Sequence, residues 1–500
     1  MKELRKTFWD VISITGATVI ALPLMVVSES IQARGLGPDD YGRVALIISI
    51  FSLLYLFGLY WLKSAVLRFA KEEFVAEGHF RRTSAGLLSL NFISLIIVFS
   101  FFLIFQEKIF AFLGIKLAYV TGMIISGLFL LFLKEFFLEI LKVINKIKVQ
   151  AFLGKAVNKG LVVVGLILLV SGIWQLNVIN VILVFLLADL LTIVLSLFYI
   201  DHKFFFPLDF DSSLFKRIVL FSLPLLFASW SGYIINWIDI YVINYFMTTE
   251  YVGIYHAAYK LLNAVQFFLG TSLIITISTP LIMAYKTTGQ TDKVKEHYMK
   301  RTVPQLSFFG MLFISLLLMV SDFVFLLVYG REFIQSALVF KILIASQGFF
   351  IVSAAYTGII TSYDLTKIVL YLGLLAGFLN IVMDILLVPL MGINGAAIAS
   401  CIVFCLIPVL RFRLVNRKFA LAGSTPLVFP VITLLIMLIN ISPLYFIFRW
   451  GVSLIVLSFA VQIVRKRGLF QVKDMEILDG IDMSVSARSV MKKAIRFMSG

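Results

Sequence analysis

The chain is poor in charge. Only 14% of its 500 residues are Asp, Glu, Lys or Arg, against 61% hydrophobic. A soluble globule needs a charged exterior, so this composition excludes that class. No hydrophilic stretch is long enough for a separate soluble domain. Cysteine is nearly absent: Cys401 and Cys405 stand four apart in one apolar run. They share a helical face, sit too far apart for an unstrained disulfide, and read as small packing residues. Histidine is scarce as well. His79, His202, His256 and His297 form no spaced set with Cys, Asp or Glu, so no metal site and no cofactor is expected. The N-terminus, MKELRKTFWD, lacks a following A-x-A cleavage pattern, so the first apolar run reads as an uncleaved span. Acidic residues are outnumbered by basic ones, giving a net charge of +16. In an apolar chain that excess reflects cytoplasmic loops rather than a nucleic-acid partner.

What the chain has in abundance is long apolar runs. A membrane span needs about 20 mostly apolar residues. Fourteen stretches qualify: 8–33, 42–62, 84–105, 117–138, 157–173, 178–199, 218–246, 251–283, 304–328, 336–361, 366–388, 394–412, 427–442 and 447–464. With the N-terminus in the cytoplasm, 34 Lys and Arg fall inside and 6 outside, while Lys134, Lys260 and Lys341 lie within spans. That asymmetry supports an all-α polytopic protein with fourteen transmembrane helices and both termini cytoplasmic. The external loops are short, which argues against an extracytoplasmic catalytic domain. Two cytoplasmic connections, WLKSAVLRFAKEEF and LKEFFLEILKVINKIK, read as amphipathic helical extensions. In the second, Lys134, Glu135, Glu139 and Lys142 can pair along the helix.

Two spans carry polar stripes. Ser229, Gly232, Asn236 and Asp239 recur at steps of three and four on one; His256, Lys260, Asn263 and Gly270 recur on the next. Residues at these spacings share a face. A charge in an apolar span costs about 2.5–3.5 kcal/mol, so such residues face a protein interior or a wet cavity. The turn at 247–250 joins the two spans. Lys260 lies about ten residues past it and Asp239 about eight before it, so at about 1.5 Å per residue their depths differ by a few ångströms.

A faint repeat runs at an offset of 210 to 211. Asp40-Tyr41-Gly42 falls over Glu250-Tyr251-Val252-Gly253, and Glu29 falls on Asp239. An even-numbered repeat of six spans preserves orientation, and substrate sites in such transporters lie between the repeats.

Several motifs resemble the polysaccharide biosynthesis (oligosaccharide flippase, Wzx-like) family. They are SLPLL at 222–226 with Asp239 and VGIYHAAYKL at 252–261, ARGLGPDDYG at 33–42, NIVMDILLVPLMGINGAAIAS at 380–400, and GLYWLKSAVLRFAKE at 58–72. The resemblance covers about residues 8 to 465. Tyr60 and Trp61 are bulkier than is usual there, and the tail after 465 has no counterpart. The family belongs to the multidrug/oligosaccharidyl-lipid/polysaccharide exporter superfamily. That implies a MATE-like fold: an N-lobe over 1–214, a C-lobe over 215–416, two extra helices over 417–465, and here a basic cytoplasmic tail over 466–500. It also implies export of undecaprenyl-pyrophosphate-linked oligosaccharide repeats, such as lipopolysaccharide or capsule units, across the inner membrane. The partners are then the lipid-linked oligosaccharide, membrane lipid, and polysaccharide polymerases or glycosyltransferases.

A glycan head carrying a pyrophosphate needs a polar, cationic path. Lys260 and Arg68 are the cationic candidates, with Asn236 and Asn263 beside them. Glu29 and Asp239 are the carboxylates available for ion coupling. Asp239 can equally be a buried hydrogen-bond partner of Asn236 or Tyr255, and Lys260 can pair with Asp239. Asp189, Asp384 and Lys341 read as structural. Rival readings are a drug/cation antiporter of the same superfamily, a membrane O-antigen polymerase, and a non-transporting scaffold. In the tail, Met483 to Met498 is expected to form an amphipathic helix on the anionic inner leaflet.

Overall fold

The computed structural model describes residues 2–114, 120–267, 274, 276–363, 365–419 and 425–471, with 489, 492, 493, 495, 496 and 498. Every regular element among the described residues is helical. Lipid offers no water to backbone N–H and C=O groups, and a helix satisfies them within its own segment. The helices of ten or more residues are α1 (Lys2–Gly58), α2 (Arg81–Leu113), α3 (Val120–Val143), α4 (Asn158–Val170) and α5 (Val178–Leu197). They continue with α6 (Ser212–Phe246), α7 (Thr249–Gln266), α8 (Thr276–Thr287), α9 (Val303–Val328) and α10 (Ser336–Ala345). The last are α11 (Gln347–Ser362), α12 (Thr366–Met391), α13 (Ile393–Lys418), α14 (Thr425–Ile441) and α15 (Phe446–Lys466).

Local sequence explains several boundaries. α1 is broken at Gly37, where φ 73 and ψ 172 leave the helical region. Glycine adopts that conformation without steric cost, and Pro38 then opens the next helical stretch. Asn177 caps α5 by accepting from the Asn180 N–H, and Asp211 caps α6 by accepting from the Ser213 and Leu214 N–H groups. The last carbonyls of α9 are satisfied from α1: Ser30 Oγ donates to Val328 O at 2.5 Å, and Arg34 donates to Val328 O at 3.1 Å and Leu326 O at 3.2 Å. A cation there also suits the negative helix end.

Over their described residues, the fourteen expected stretches fall largely on helix. The first two share α1 across Gly37, and 251–283 takes in α7 and α8. The span 336–361 is the pair α10 and α11, bent by 42°. By length and composition, eight helices among the described residues can cross a membrane, or nine with the bent pair as one. The chain is therefore a multi-pass, all-helical membrane protein. α14 has only 17 residues, and α7 is diluted by Glu250, His256, Lys260 and Asn263. Large apolar side chains such as Phe198, Tyr445 and Ile447 lie exposed, as a lipid-facing exterior requires. Most of the expected tail helix, Met483 to Met498, lies outside the described residues.

Contacts divide the chain into two compact units. One comprises Met1–Phe268, Phe325–Val339 and Gly373–Ala399; the other comprises Leu269–Val324, Phe340–Leu372 and Ser400–Gly500. In the second, Phe308 packs against Phe429 and Phe470, and Tyr298 OH donates to Ala355 O at 2.7 Å. Lys341, expected to be structural, pairs there with Asp322 at 2.7 Å, and Arg449 approaches the same carboxylate at 3.9 Å.

In the first unit, α7 packs along α1. The two backbones come very close at Gly42 and Gly253, positions 211 residues apart in the sequence. A Cβ on Gly42 would overlap the Thr249 carbonyl and the Gly253 N, and a Cβ on Gly253 would overlap the Pro38 carbonyl and the Gly42 N. Thr249 Oγ1 also hydrogen-bonds Asp39 Oδ1. Glycine at both matching positions is what lets two helix starts touch backbone to backbone.

Candidate functional site: two polar cavities within the first unit

A cavity of about 800 Å³ opens among α1, α6 and α7. The two polar stripes line it: Ser229, Gly232 and Asn236 from α6, and His256, Lys260 and Asn263 from α7. Asn236 donates to Gly232 O at 2.5 Å and accepts from Tyr259 OH at 3.4 Å, which holds its amide against the wall. His256 is buried, with its ring 5.9 Å from Trp237 and 5.7 Å from Tyr41. Tyr60 and Trp61 add aromatic surface. The described charged residues on this wall are Lys63 and Lys260, with no Asp or Glu among them. Gly270, the last member of the second stripe, lies outside the described residues.

A smaller cavity, about 240 Å³, adjoins through Lys260, which lines both. It carries Glu29, Lys134, Lys159 and Asp189. Lys260 pairs with Glu29 at 3.3 Å, and Tyr41 OH donates to the other Glu29 oxygen at 2.5 Å. Lys134 pairs with Asp189 at 2.8 Å. Asn158 donates to Asp189 at 2.9 Å and to Thr192 Oγ1 at 3.1 Å.

Asp239 departs from its stripe. It is 2% exposed and absent from the large cavity's wall. Tyr255 OH donates to it, and the buried carboxyl group of Asp384 is its near neighbour. Asn380 in turn donates to Asp384 at 3.4 Å. Two buried carboxyl groups side by side repel one another when both are ionised. Lys260 thus pairs with Glu29 and not with Asp239. A helical stripe is wide enough that its last member can turn into a neighbouring helix, here α12.

Arg68 lines neither cavity. Its guanidinium lies 4.6 Å from the Phe221 ring centroid and 3.4 Å from Glu72. Glu135 and Glu139 are held across helices, with Lys63 at 2.6 and 3.4 Å, while Lys142 pairs with Glu139 along the helix at 2.8 Å. Glu73, Glu77 and His79 bring ligand-type atoms within 4.8 Å of one another, a grouping not expected from the sequence. Glu73 is already engaged there, accepting from the N–H groups of Arg82 and Thr83 and from Thr83 Oγ1. Arg82 also pairs with Glu77. That corner closes the start of α2.

Residues 8–286 match the family described as polysaccharide biosynthesis protein, more than half of the chain. The chain belongs to that family. A family relative, the "Probable low-salt glycan biosynthesis flippase Agl15" of Haloferax volcanii, is 23% identical over 189 residues. The match spans 37% of this chain and 38% of the relative's length. The structure of lipid II flippase MurJ in an inward closed conformation superposes with a TM-score of 0.71 at 15% identity, covering 91% of this chain and 99% of that one. An inward-facing multidrug resistance MATE transporter of the MOP superfamily gives 0.63 at 14% identity, covering 82% and 98%. At these identities the likeness establishes the fold, which is the MATE-like one expected from the motifs. The relatives and neighbours are flippases and transporters, not enzymes.

Lys159, on the wall of the smaller cavity, escaped the sequence reading as a site residue, and Asp384, named there as structural, was not expected beside Asp239. Lys159 counted there among cytoplasmic loop lysines, yet the apolar span runs continuously from Ile147 to Val170. A wider π turn at Phe152–Val157 carries the helix through the basic stretch. Asp384 sits four residues after Asn380, and that i, i+4 polar pair in an apolar run was the available signal.

Proposed function

We propose that this protein is a flippase that moves undecaprenyl-pyrophosphate-linked oligosaccharide repeats from the inner to the outer leaflet of the cytoplasmic membrane. Fourteen spans, cytoplasmic termini and two six-helix lobes divided near residue 214 complete the reading. The observation that carries it is the large cavity's wall: two lysines, several amide and hydroxyl groups, and no carboxylate among its described residues. An antiporter of cations would want the reverse. The polar wall suits the wet glycan head, while the polyprenyl tail stays in lipid. Lys260 serves as the contact for the pyrophosphate, with Asn236 and Asn263 as hydrogen-bonding partners of the sugars. The Asp239–Asp384 pair is the place for a coupling proton or sodium ion, and Glu29 sets the charge of Lys260. Moving the anionic head toward the positive outer face gains about 2.3 kcal/mol per charge per 100 mV.

Flipping of a lipid-linked oligosaccharide in vesicles, with membrane protein level measured alongside, tests the reading. Lys260→Ala is expected to abolish flipping at normal protein level, and Lys260→Arg to keep part of it, because the charge persists while its geometry changes. Wild-type flipping by Lys260→Ala would overturn the assignment.

A further inference from the structure

The smaller cavity holds an imbalance. Its wall carries three lysines, Lys134, Lys159 and Lys260, against two carboxylates, Glu29 and Asp189. Asp189 is committed to Lys134 at 2.8 Å and to the Asn158 amide at 2.9 Å. Glu29 is committed to Tyr41 at 2.5 Å and to Lys260 at 3.3 Å. Lys159 makes no ion pair or hydrogen bond among the described residues. It lies midway along the span Ile147–Val170, where a charge costs about 2.5–3.5 kcal/mol unless something offsets it. Charged side chains in such places face a wet cavity, pair with opposite charges or backbone carbonyls, and mark substrate or ion pathways. Both of these contacts of Asp189 use one oxygen, Oδ1, and Lys159 has no ion pair of its own among the described residues, so an anion entering the cavity would give it a direct partner.

The neighbouring pair is built to exchange. At 3.3 Å, Lys260 and Glu29 stand beyond the about 2.7–2.9 Å of a charge-assisted hydrogen bond. Glu29 keeps the Tyr41 hydroxyl if Lys260 leaves. Lys260 also faces the large cavity, so an anion arriving there meets it first.

We propose that the smaller cavity is an anion site for a phosphate or pyrophosphate group, clamped between Lys159 and Lys260, and that the anion replaces Glu29 as the partner of Lys260. Two ammonium groups suit such a multiply charged oxyanion as point charges on flexible stems. At about 240 Å³ the cavity has room for one such group with water. The natural ligand of the site rests on the reading above, in which the cargo carries a pyrophosphate; its chemistry does not.

The test uses the full-length protein in nanodiscs of neutral lipid, titrated with inorganic pyrophosphate and followed by thermal stabilisation. The wild type is expected to be stabilised saturably. Lys159→Gln should lose about tenfold or more in apparent affinity, the scale of one charge-assisted contact. Lys159→Arg should retain most of it. Glu29→Gln should bind more tightly, because the competitor for Lys260 loses its charge; a merely structural ion pair would give the opposite result. Wild-type affinity in Lys159→Gln, or weaker binding in Glu29→Gln, overturns the site. If Lys159→Gln does not accumulate, Lys159→Arg and Glu29→Gln still decide it. Adding phosphatidylglycerol to the nanodiscs separates the sources: competition with pyrophosphate identifies a lipid headgroup, and its absence points to the lipid-linked cargo. Flipping assays report separately. A protein that binds pyrophosphate through Lys159 yet flips no lipid-linked oligosaccharide would keep this site and lose the proposed function.

Discussion

Glu29 and Asp239 stand 210 residues apart, at the offset of the faint sequence repeat, yet their surroundings give them different chemistry. Each accepts from a tyrosine further along its own hairpin, Tyr41 for Glu29 and Tyr255 for Asp239. Beyond that they diverge. Glu29 faces a cation, Lys260, on the wall of a cavity. Asp239 is turned away from the large cavity and meets a second carboxyl group, Asp384. An ion pair can be exchanged for another anion, whereas a carboxyl pair holds a proton or a cation. In the proposed function the first would serve the cargo and the second the coupling ion, and the third partner is what separates them.

The sharpest way to break this comparison is at the contact that brings the hairpins together. Gly253→Ala places a Cβ into the Pro38 carbonyl, and Gly42→Ala does the same to Thr249. Backbone cannot yield as a side chain can, so we expect about 1–3 kcal/mol of destabilisation from each. It should be visible as a lowered melting temperature and reduced membrane accumulation; unchanged values for both variants would remove the close approach. Next in size come the carboxylates themselves. Asp239→Asn or Asp384→Asn should make vesicle flipping insensitive to an imposed proton or sodium gradient. Glu29→Gln should keep that sensitivity and alter only the cargo side. Identical phenotypes for the two positions would collapse the distinction. The smallest effect is expected at Asp211, which caps the helix that carries Asp239. The Ser213 hydroxyl, with the Leu214 and Ser213 N–H groups, holds its carboxyl below the usual range. The cap is complete above the unfolded-state pKa of about 3.9 and fades as pH falls through the lower folded value. Asp211→Ala should therefore lower the melting temperature slightly at neutral pH and make no difference in strong acid, with flipping unchanged.

Much of the fold was legible in one dimension. Apolar run lengths anticipated helix over most of the described residues of the expected spans, because lipid leaves the backbone no alternative. The stripes at three- and four-residue steps found Ser229, Gly232, Asn236, His256, Lys260 and Asn263, which share one wall, because helical periodicity alone aligns them. Lys159 was hidden by its basic neighbours: charge counting sees how many lysines a segment has, not how deep the helix carries them.

Residue order thus determined the helices, their polar faces and the family. Tertiary structure decided the partners. Lys260 could have met Asp239 or Glu29 at similar depth, and the packing of α7 on α1 chose Glu29. Asp239 could have faced the cavity, and the approach of α12 gave it Asp384 instead. Pairings of this kind join residues more than a hundred positions apart. They depend on which helix turns which way against its neighbour, and no local spacing encodes that.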